Sequence, residues 1–116
     1  MALIVQIRRW LEWAPWRRWQ VVGVVDSADD VPETLSGKRA VLVGTKGRPK
    51  WLAFDCPCRS GHRILLNLDR QRFPFWTLLN PDRLTLTPSV DYRDDRQRCH
   101  YIMSKGRIRW AHHRGG

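Results

Sequence analysis

Cysteine is scarce in this chain. Its three cysteines, Cys56, Cys58 and Cys99, are an odd number, and no charged, apolar, then small-residue leader precedes them, so neither a disulfide framework nor secretion is expected. A reducing cytoplasm is the expected compartment. Cys56 and Cys58 are also poor partners for each other, because bridging residues two apart strains the ring and Pro57 stiffens it further. Long apolar runs are missing too: Ala2 to Val5, the longest near the start, is far below the roughly 18 residues that a membrane span requires. No membrane partner is expected. Acidic residues are few, 11 against 21 Lys and Arg for a net charge of +10, which gives a field attractive to polyanions or to an acidic protein surface without choosing between them. The arginines form no single block, the chain has no internal repeat, and conventional nucleic-acid motifs are absent, so nucleic acid ranks below protein as a partner.

What is present fits one domain. At 116 residues the chain has room for a modest core and is small enough to benefit from a metal staple. Residues 1–15 read as an amino-terminal extension, 16–111 as a β core and 112–116 as a frayed tail. Leu3, Ile7, Trp10 and Leu11 stand at helical spacing ahead of Pro15, which predicts a short amphipathic helix, although Leu-Ile-Val-Gln-Ile reads equally as a strand. The first secure strand lies within Trp19 to Val25. One helical turn is expected around Val31 to Leu35, with Pro32 at its start. Strands follow at Ala40 to Val43, Trp51 to Phe54, Arg63 to Leu68, Phe75 to Leu79, Leu84 to Leu86, Cys99 to Met103 and Arg107 to Trp110, and Asp91 to Arg98 reads as a charged loop. The expected fold is a small, mainly antiparallel β domain with one or two short helices.

Tryptophan is abundant, at seven residues. Trp10, Trp13, Trp16 and Trp19 crowd among Arg8, Arg9, Arg17 and Arg18, and ring-plus-guanidinium surfaces suit protein hot spots or stacking on bases. Trp10, Trp13, Arg17 and Arg18 are the candidate partner-binding residues.

The cysteine turn offers the clearest chemistry. Thiolates are soft ligands suited to zinc, and a turn carrying Cys56, Cys58 and His62 supplies three of the four needed, with Cys99 or His100 from farther along the chain completing the set. A site with four protein ligands leaves no open position for an activated water, so such a zinc is structural. The plain alternative is reduced cysteines beside a solvated histidine.

The order of several short motifs carries a resemblance. Asp-Val-Pro-Glu-Thr-Leu, Ala-Val-Leu-Val-Gly, Trp-Leu-Ala-Phe-Asp-Cys-Pro-Cys, Ile-Leu-Leu-Asn-Leu, Leu-Thr-Pro-Ser-Val, Cys-His-Tyr-Ile and Gly-Arg-Ile-Arg-Trp together resemble a family of small bacterial proteins, long a domain of unknown function. Its members are often encoded beside ubiquitin-like proteins with E1-like and E2-like enzymes. The resemblance spans Trp19 to Trp110 and implies a deubiquitinase-like serine protease that trims or releases a bacterial ubiquitin-like protein, with those E1/E2-like enzymes as further partners. The family pattern reads Cys-Pro-Cys-Gly-Cys-Gly and then Cys-x-Ser-His-Phe. Here Ser60 and Gln97 stand where cysteines are usual and Cys99 directly precedes the histidine, so the metal site is either rebuilt with His62 and Cys99 or lost. Ser89 and His100 match the family's catalytic positions.

The residues themselves allow that pair. A serine nucleophile needs an imidazole within hydrogen-bond reach and a third group to orient it. Strands flanking the ten residues between Ser89 and His100 can pair and set the two side by side, and alternation would send Cys99 and His100 to opposite faces. His100 as a base must not ligate zinc, which favours Cys56, Cys58, His62 and Cys99 as the metal set. Asp91, Asp94 and Asp95 are candidate orienting groups. The alternative function is a noncatalytic zinc-binding module for a ubiquitin-like partner or nucleic acid.

Overall fold

β-Branched and aromatic runs separated by Gly and Pro signals become nine strands among residues 17–35, 37–45 and 47–111, the part of the chain that the computed structural model describes. Strands β1 (Gln20–Val25), β2 (Arg39–Thr45), β3 (Arg48–Asp55) and β4 (Arg63–Asn67) form a sheet in that order, with β1–β2 parallel and the other pairs antiparallel. A two-stranded ribbon joins β5 (Thr77–Leu78) to β6 (Leu86–Thr87). Strands β7 (Val90–Arg93), β8 (Arg98–Ser104) and β9 (Arg107–Trp110) make an antiparallel meander. The mainly β expectation holds.

One face of the large sheet supplies Ala40, Leu52, Phe54, Ile64 and Leu66 to a core completed by Leu84, Leu86, Val90, Cys99, Tyr101 and Met103. Trp19 belongs to it as well. It is 2% exposed and meets Phe54 edge to face at 5.6 Å, so the ring that the sequence groups with a binding patch is a structural one. Burying an aromatic of this size contributes about 1.5–3 kcal/mol, and its backbone contributes again. Trp19 N–H donates to Gly106 O at 2.8 Å, Trp19 O accepts from Leu84 N–H at 2.9 Å, and Gly106 N–H donates to Leu84 O at 2.9 Å. This triangle sews the entry to β1, the connection between β5 and β6 and the β8–β9 turn together.

Two expectations are corrected. The helical turn falls at Ala28–Asp30, a single 3₁₀ turn capped by the Ser27 side chain, while residues 31–35 are irregular. Their polar groups are taken by the sheet: Arg63 Nη2 donates to Pro32 O and Glu33 O, and Asp55 Oδ2 accepts from Leu35 N–H. Backbone groups held this way are unavailable to a helical ladder. Second, the charged stretch Asp91 to Arg98 is a strand, a tight turn closed by Asp94 N–H to Gln97 O, and the first residue of another strand. The parallel β1–β2 pair is the exception within a mainly antiparallel fold. The expected amino-terminal helix and the frayed tail lie outside the described residues, as do Trp10 and Trp13.

Candidate active site and metal centre

Alternation along β8 divides its chemistry between two faces. Cys99, Tyr101 and Met103 are buried, while His100 and Ile102 between them are half-buried on the opposite side. In the β7–β8 ladder Asp91 stands directly opposite His100 and Tyr92 opposite Cys99, so Ser89, two residues before Asp91, is a diagonal neighbour of the imidazole. Ser89 Oγ lies 2.9 Å from His100 Nε2, a hydrogen-bonding distance for a hydroxyl and a base. Ser89 is held from behind. The indole Nε1–H of Trp76 donates to Ser89 O at 3.1 Å, and Trp76 N–H is itself anchored on Asn67 O at the end of β4.

Two of the three candidate orienting carboxylates have other partners. Asp91 is clamped by Arg98, which donates through Nε to Oδ1 and through Nη2 to Oδ2, both at 3.0 Å, with Arg93 3.4 Å away. Those guanidinium hydrogen bonds hold its carboxyl at about 2, well below the ordinary carboxylate value. Asp94 accepts from Arg96 N–H and Gln97 N–H at 2.8 Å and from the Tyr92 hydroxyl at 3.1 Å, so it serves the turn. Asp95 is exposed.

On the buried side the cysteine turn meets β8. Cys56 N–H donates to His62 O and Arg59 N–H to Cys56 O, each at 3.0 Å, and the chain reverses through Arg59 (φ 64°) and Gly61 (φ 94°). One ligand atom from each of Cys56, Cys58, His62 and Cys99 falls in a cluster whose members all lie within 4.8 Å of one another. Sulfurs at about 2.3 Å and a nitrogen at about 2.0–2.1 Å from a zinc would stand roughly 3.5–3.8 Å apart in a tetrahedron, and Cys58 Sγ is 3.6 Å from His62 Nε2. The donor set, its burial and its spacing therefore fit a metal. His100 stays on the other face.

Thiol acidity in the cluster is uneven. Burial pushes the Cys56 thiol up to about 12 and raises Cys99, where hydrogen bonding and charge from Cys58 act in the same direction. Burial alone would raise Cys58 too, but hydrogen bonds from the Ser60 side chain and backbone and from the other two cysteines bring it below the usual thiol value. Cys58 is therefore the most readily ionised of the three thiols.

Four supporting residues escaped the sequence reading. Tyr92 stacks on the His62 ring, with centroids 4.0 Å apart and planes 9° from parallel. Gln97, at a position where the resembled family carries a cysteine, places its side-chain amide 3.2 Å from His62 Nδ1. Tyr101 sets its hydroxyl 3.9 Å from Cys56 Sγ, and Trp76 holds Ser89. Only the alternation of β7 and β8, which puts Tyr92, Cys99 and Tyr101 on one face, was available in the sequence as a signal for any of them. Arg17 is exposed and its carbonyl accepts from Lys38 Nζ, while Arg18 is half-buried beside the β8–β9 turn. No helix among the described residues is long and apolar enough to cross a membrane.

A family model described as Bacterial ubiquitination-like system serine protease (BubE) matches residues 27–111. That span includes both faces of β8, the cysteine turn and the Ser89 loop. No curated protein and no solved structure gives a significant match.

Proposed function

We propose, from the premise that this chain belongs to the bacterial ubiquitination-like system serine protease family, that it is a serine peptidase working through Ser89 and His100 on the carboxyl end of a ubiquitin-like protein. The observation that carries the reading is the 2.9 Å contact between Ser89 Oγ and His100 Nε2. In the first half-reaction Ser89 Oγ attacks the peptide or isopeptide carbonyl, its proton passes to His100 Nε2, and the imidazolium returns that proton to the departing amine. In the second half-reaction a water enters through the same imidazole and releases the acyl group from Ser89. One ring serves both halves because it lies on the face away from the thiols.

Zinc is the metal proposed for Cys56, Cys58, His62 and Cys99, since three thiolates and an imidazole suit it best among common ions. Bound there it ties the cysteine turn to β8 and is structural. Metal ligation through His62 Nε2 requires a proton on Nδ1, and Gln97 meets that need when its amide presents the carbonyl oxygen to the ring. The family's usual cysteine positions are thus replaced by a rebuilt set: His62 and Cys99 ligate, and Gln97 orients the histidine.

Arg17 and Arg18, with Trp10 and Trp13 of the preceding segment, are proposed to contact the protein partner. Deleting residues 1–14 is expected to weaken partner binding while the domain stays folded, and full affinity or unfolding after the deletion excludes that role. A noncatalytic zinc module for the same partner is the competing reading, and the Ser89–His100 contact favours catalysis over it. Incubation with a bacterial ubiquitin-like precursor, followed by mass spectrometry, separates the two. Cleavage at one bond near its carboxyl terminus is expected, and an intact precursor bound stoichiometrically would leave only the binding module.

A further inference from the structure

Strands β4 and β7 are each one of the two edge strands of their sheets among the described residues, and they face each other across a groove of about 270 Å³ lined by Arg63, Leu65, Leu66, Trp76, Val90 and Tyr92 among others. The two edges run in opposite directions. Trp76 links the end of β4 at Asn67 to Ser89 at the start of β7, while His62 before β4 stacks on Tyr92 toward the end of β7.

Hydrogen-bond alternation identifies which backbone groups look into this groove. In an antiparallel ladder, bonded and non-bonded pairs alternate, and a residue in a non-bonded pair turns its N–H and C=O away from that partner. Asp94 N–H bonds Gln97 O, so Asp91, three positions back and opposite His100, is in a non-bonded pair. Its peptide groups point outward. The same result follows from Ala111 N–H donating to His100 O, which commits His100 to β9. Along β4, the bonds Cys56 N–H to His62 O and Leu68 N–H to Lys50 O mark the bonded positions, which leaves Arg63, Leu65 and Asn67 facing out. Asn67 O already accepts from Trp76 N–H. Among the described residues no strand pairs with either edge. The groove thus has an apolar floor, outward-facing backbone donors and acceptors, and one end at Ser89, where Trp76 forms a wall and holds the nucleophile's own carbonyl.

We infer that the β7 edge is the substrate-binding strand: the peptide on the acyl side of the scissile bond adds to it antiparallel, as an extended strand ending at Ser89. This rests on the serine peptidase reading. Antiparallel addition sets the third residue before the scissile bond opposite Asp91, where it exchanges two backbone hydrogen bonds, and sets the second and fourth opposite Val90 and Tyr92. Val90 and Tyr92 face the core side, so those alternate substrate side chains enter the groove, while the third side chain stays on the Asp91 face. The groove chooses an extended tail with large apolar residues at the second position, the fourth, or both, while Leu65, 47% exposed between the buried Ile64 and Leu66, lines the groove on the other face, beside the third side chain.

The test uses the full chain and a positional library of acetylated tetrapeptide coumarin amides, with Leu65→Glu as the variant. Wild type is expected to favour Leu, Ile, Met or Phe at the second or fourth position, and Leu65→Glu to shift the third position toward Lys or Arg. Leu65→Glu should raise KM on the best substrate about tenfold or more with kcat little changed, and should leave fluorophosphonate labelling of Ser89 intact. Binding is read separately on Ser89→Ala protein by fluorescence anisotropy, using a fluorescein-labelled Ala-Leu-Ser-Leu-Ala peptide and the same peptide N-methylated at its central serine. Both Leu65→Glu and the N-methyl group should weaken binding. Equal binding in all cases, or a flat library profile with unchanged KM in Leu65→Glu, overturns the groove assignment. Loss of Ser89 labelling in wild type with groove binding intact overturns only the hydrolase reading.

Discussion

His100 and Cys99 are neighbours in sequence, yet their side chains leave β8 on opposite faces, one to Ser89 and the other to the thiol cluster. Strand alternation makes this unavoidable, and it lets a metal site and a proton-transfer site share one strand without sharing a ligand. The account predicts that the two sites can be disabled separately.

Zinc content should be close to one per chain by elemental analysis. Removing it with a chelator should lower Tm by more than about 15 °C, since a ligand held far above its dissociation constant contributes about 4 kcal/mol or more and a domain of this size shifts about 4–8 °C per kcal/mol. His62→Ala should lose zinc and stability together. A metal-free protein that keeps its Tm after chelation contradicts the structural role.

Zinc binding should release at least two protons at neutral pH, because the Cys56 thiol at about 12 and the raised Cys99 thiol are both protonated without metal and must ionise to ligate. Affinity should accordingly rise with pH. Calorimetry in buffers of different ionisation enthalpy measures the count, and no release would mean that the deep thiols are not ligands.

Asp91, held at about 2 against an ordinary 3.8, stabilises the hairpin above the ordinary value and loses that contribution as pH falls toward 2. The pair with Arg98 is about a third exposed, so its contribution is expected to be about 1 kcal/mol or less. Asp91→Asn should flatten the pH dependence of stability between roughly pH 4 and 2. An unchanged acid-denaturation curve counts against the clamp.

Gly106→Ala should destabilise by about 1–3 kcal/mol. The residue has φ +77°, and an added Cβ would fall 2.7 Å from Arg18 Cβ and 3.1 Å from Trp19 O, inside the triangle that sews the strands together. Thermal denaturation checks this, and zinc content should not move.

Much of the β architecture was legible because apolar alternation and Gly/Pro punctuation are local signals: the strands around Val41, Leu52, Ile64 and Tyr101 all overlap their expected ranges, most of them running a little longer. The 31–35 segment was not, because Arg63 and Asp55 from distant positions claim its peptide groups. The strand at Val90–Arg93 was hidden by its charges, which face outward and pair across the hairpin. The four cluster residues were readable from chemistry and spacing, but Trp76, Tyr92 and Gln97 act through contacts between segments far apart in sequence. Alternation places Tyr92 on the face of Cys99, but no one-dimensional pattern assigns these three their contacts.

Trp76→Phe should leave the core filled while removing the indole donor to Ser89 O. Activity should fall about tenfold through kcat, since a misplaced nucleophile loses near-attack geometry, with zinc content unchanged. Wild-type kcat in Trp76→Phe would mean that Ser89 is positioned by β7 alone.

The most direct measurement is the intact mass of the protein after reaction with a fluorophosphonate probe, followed by peptide mapping. One adduct at Ser89 is expected in wild type and none in Ser89→Ala. His100→Ala should label at least about a hundredfold more slowly, as expected for loss of a general base, while keeping its zinc. An unlabelled Ser89 in folded, zinc-loaded wild type, or a His100→Ala protein that loses its metal, would contradict the assignment of Ser89 and His100 as the catalytic pair.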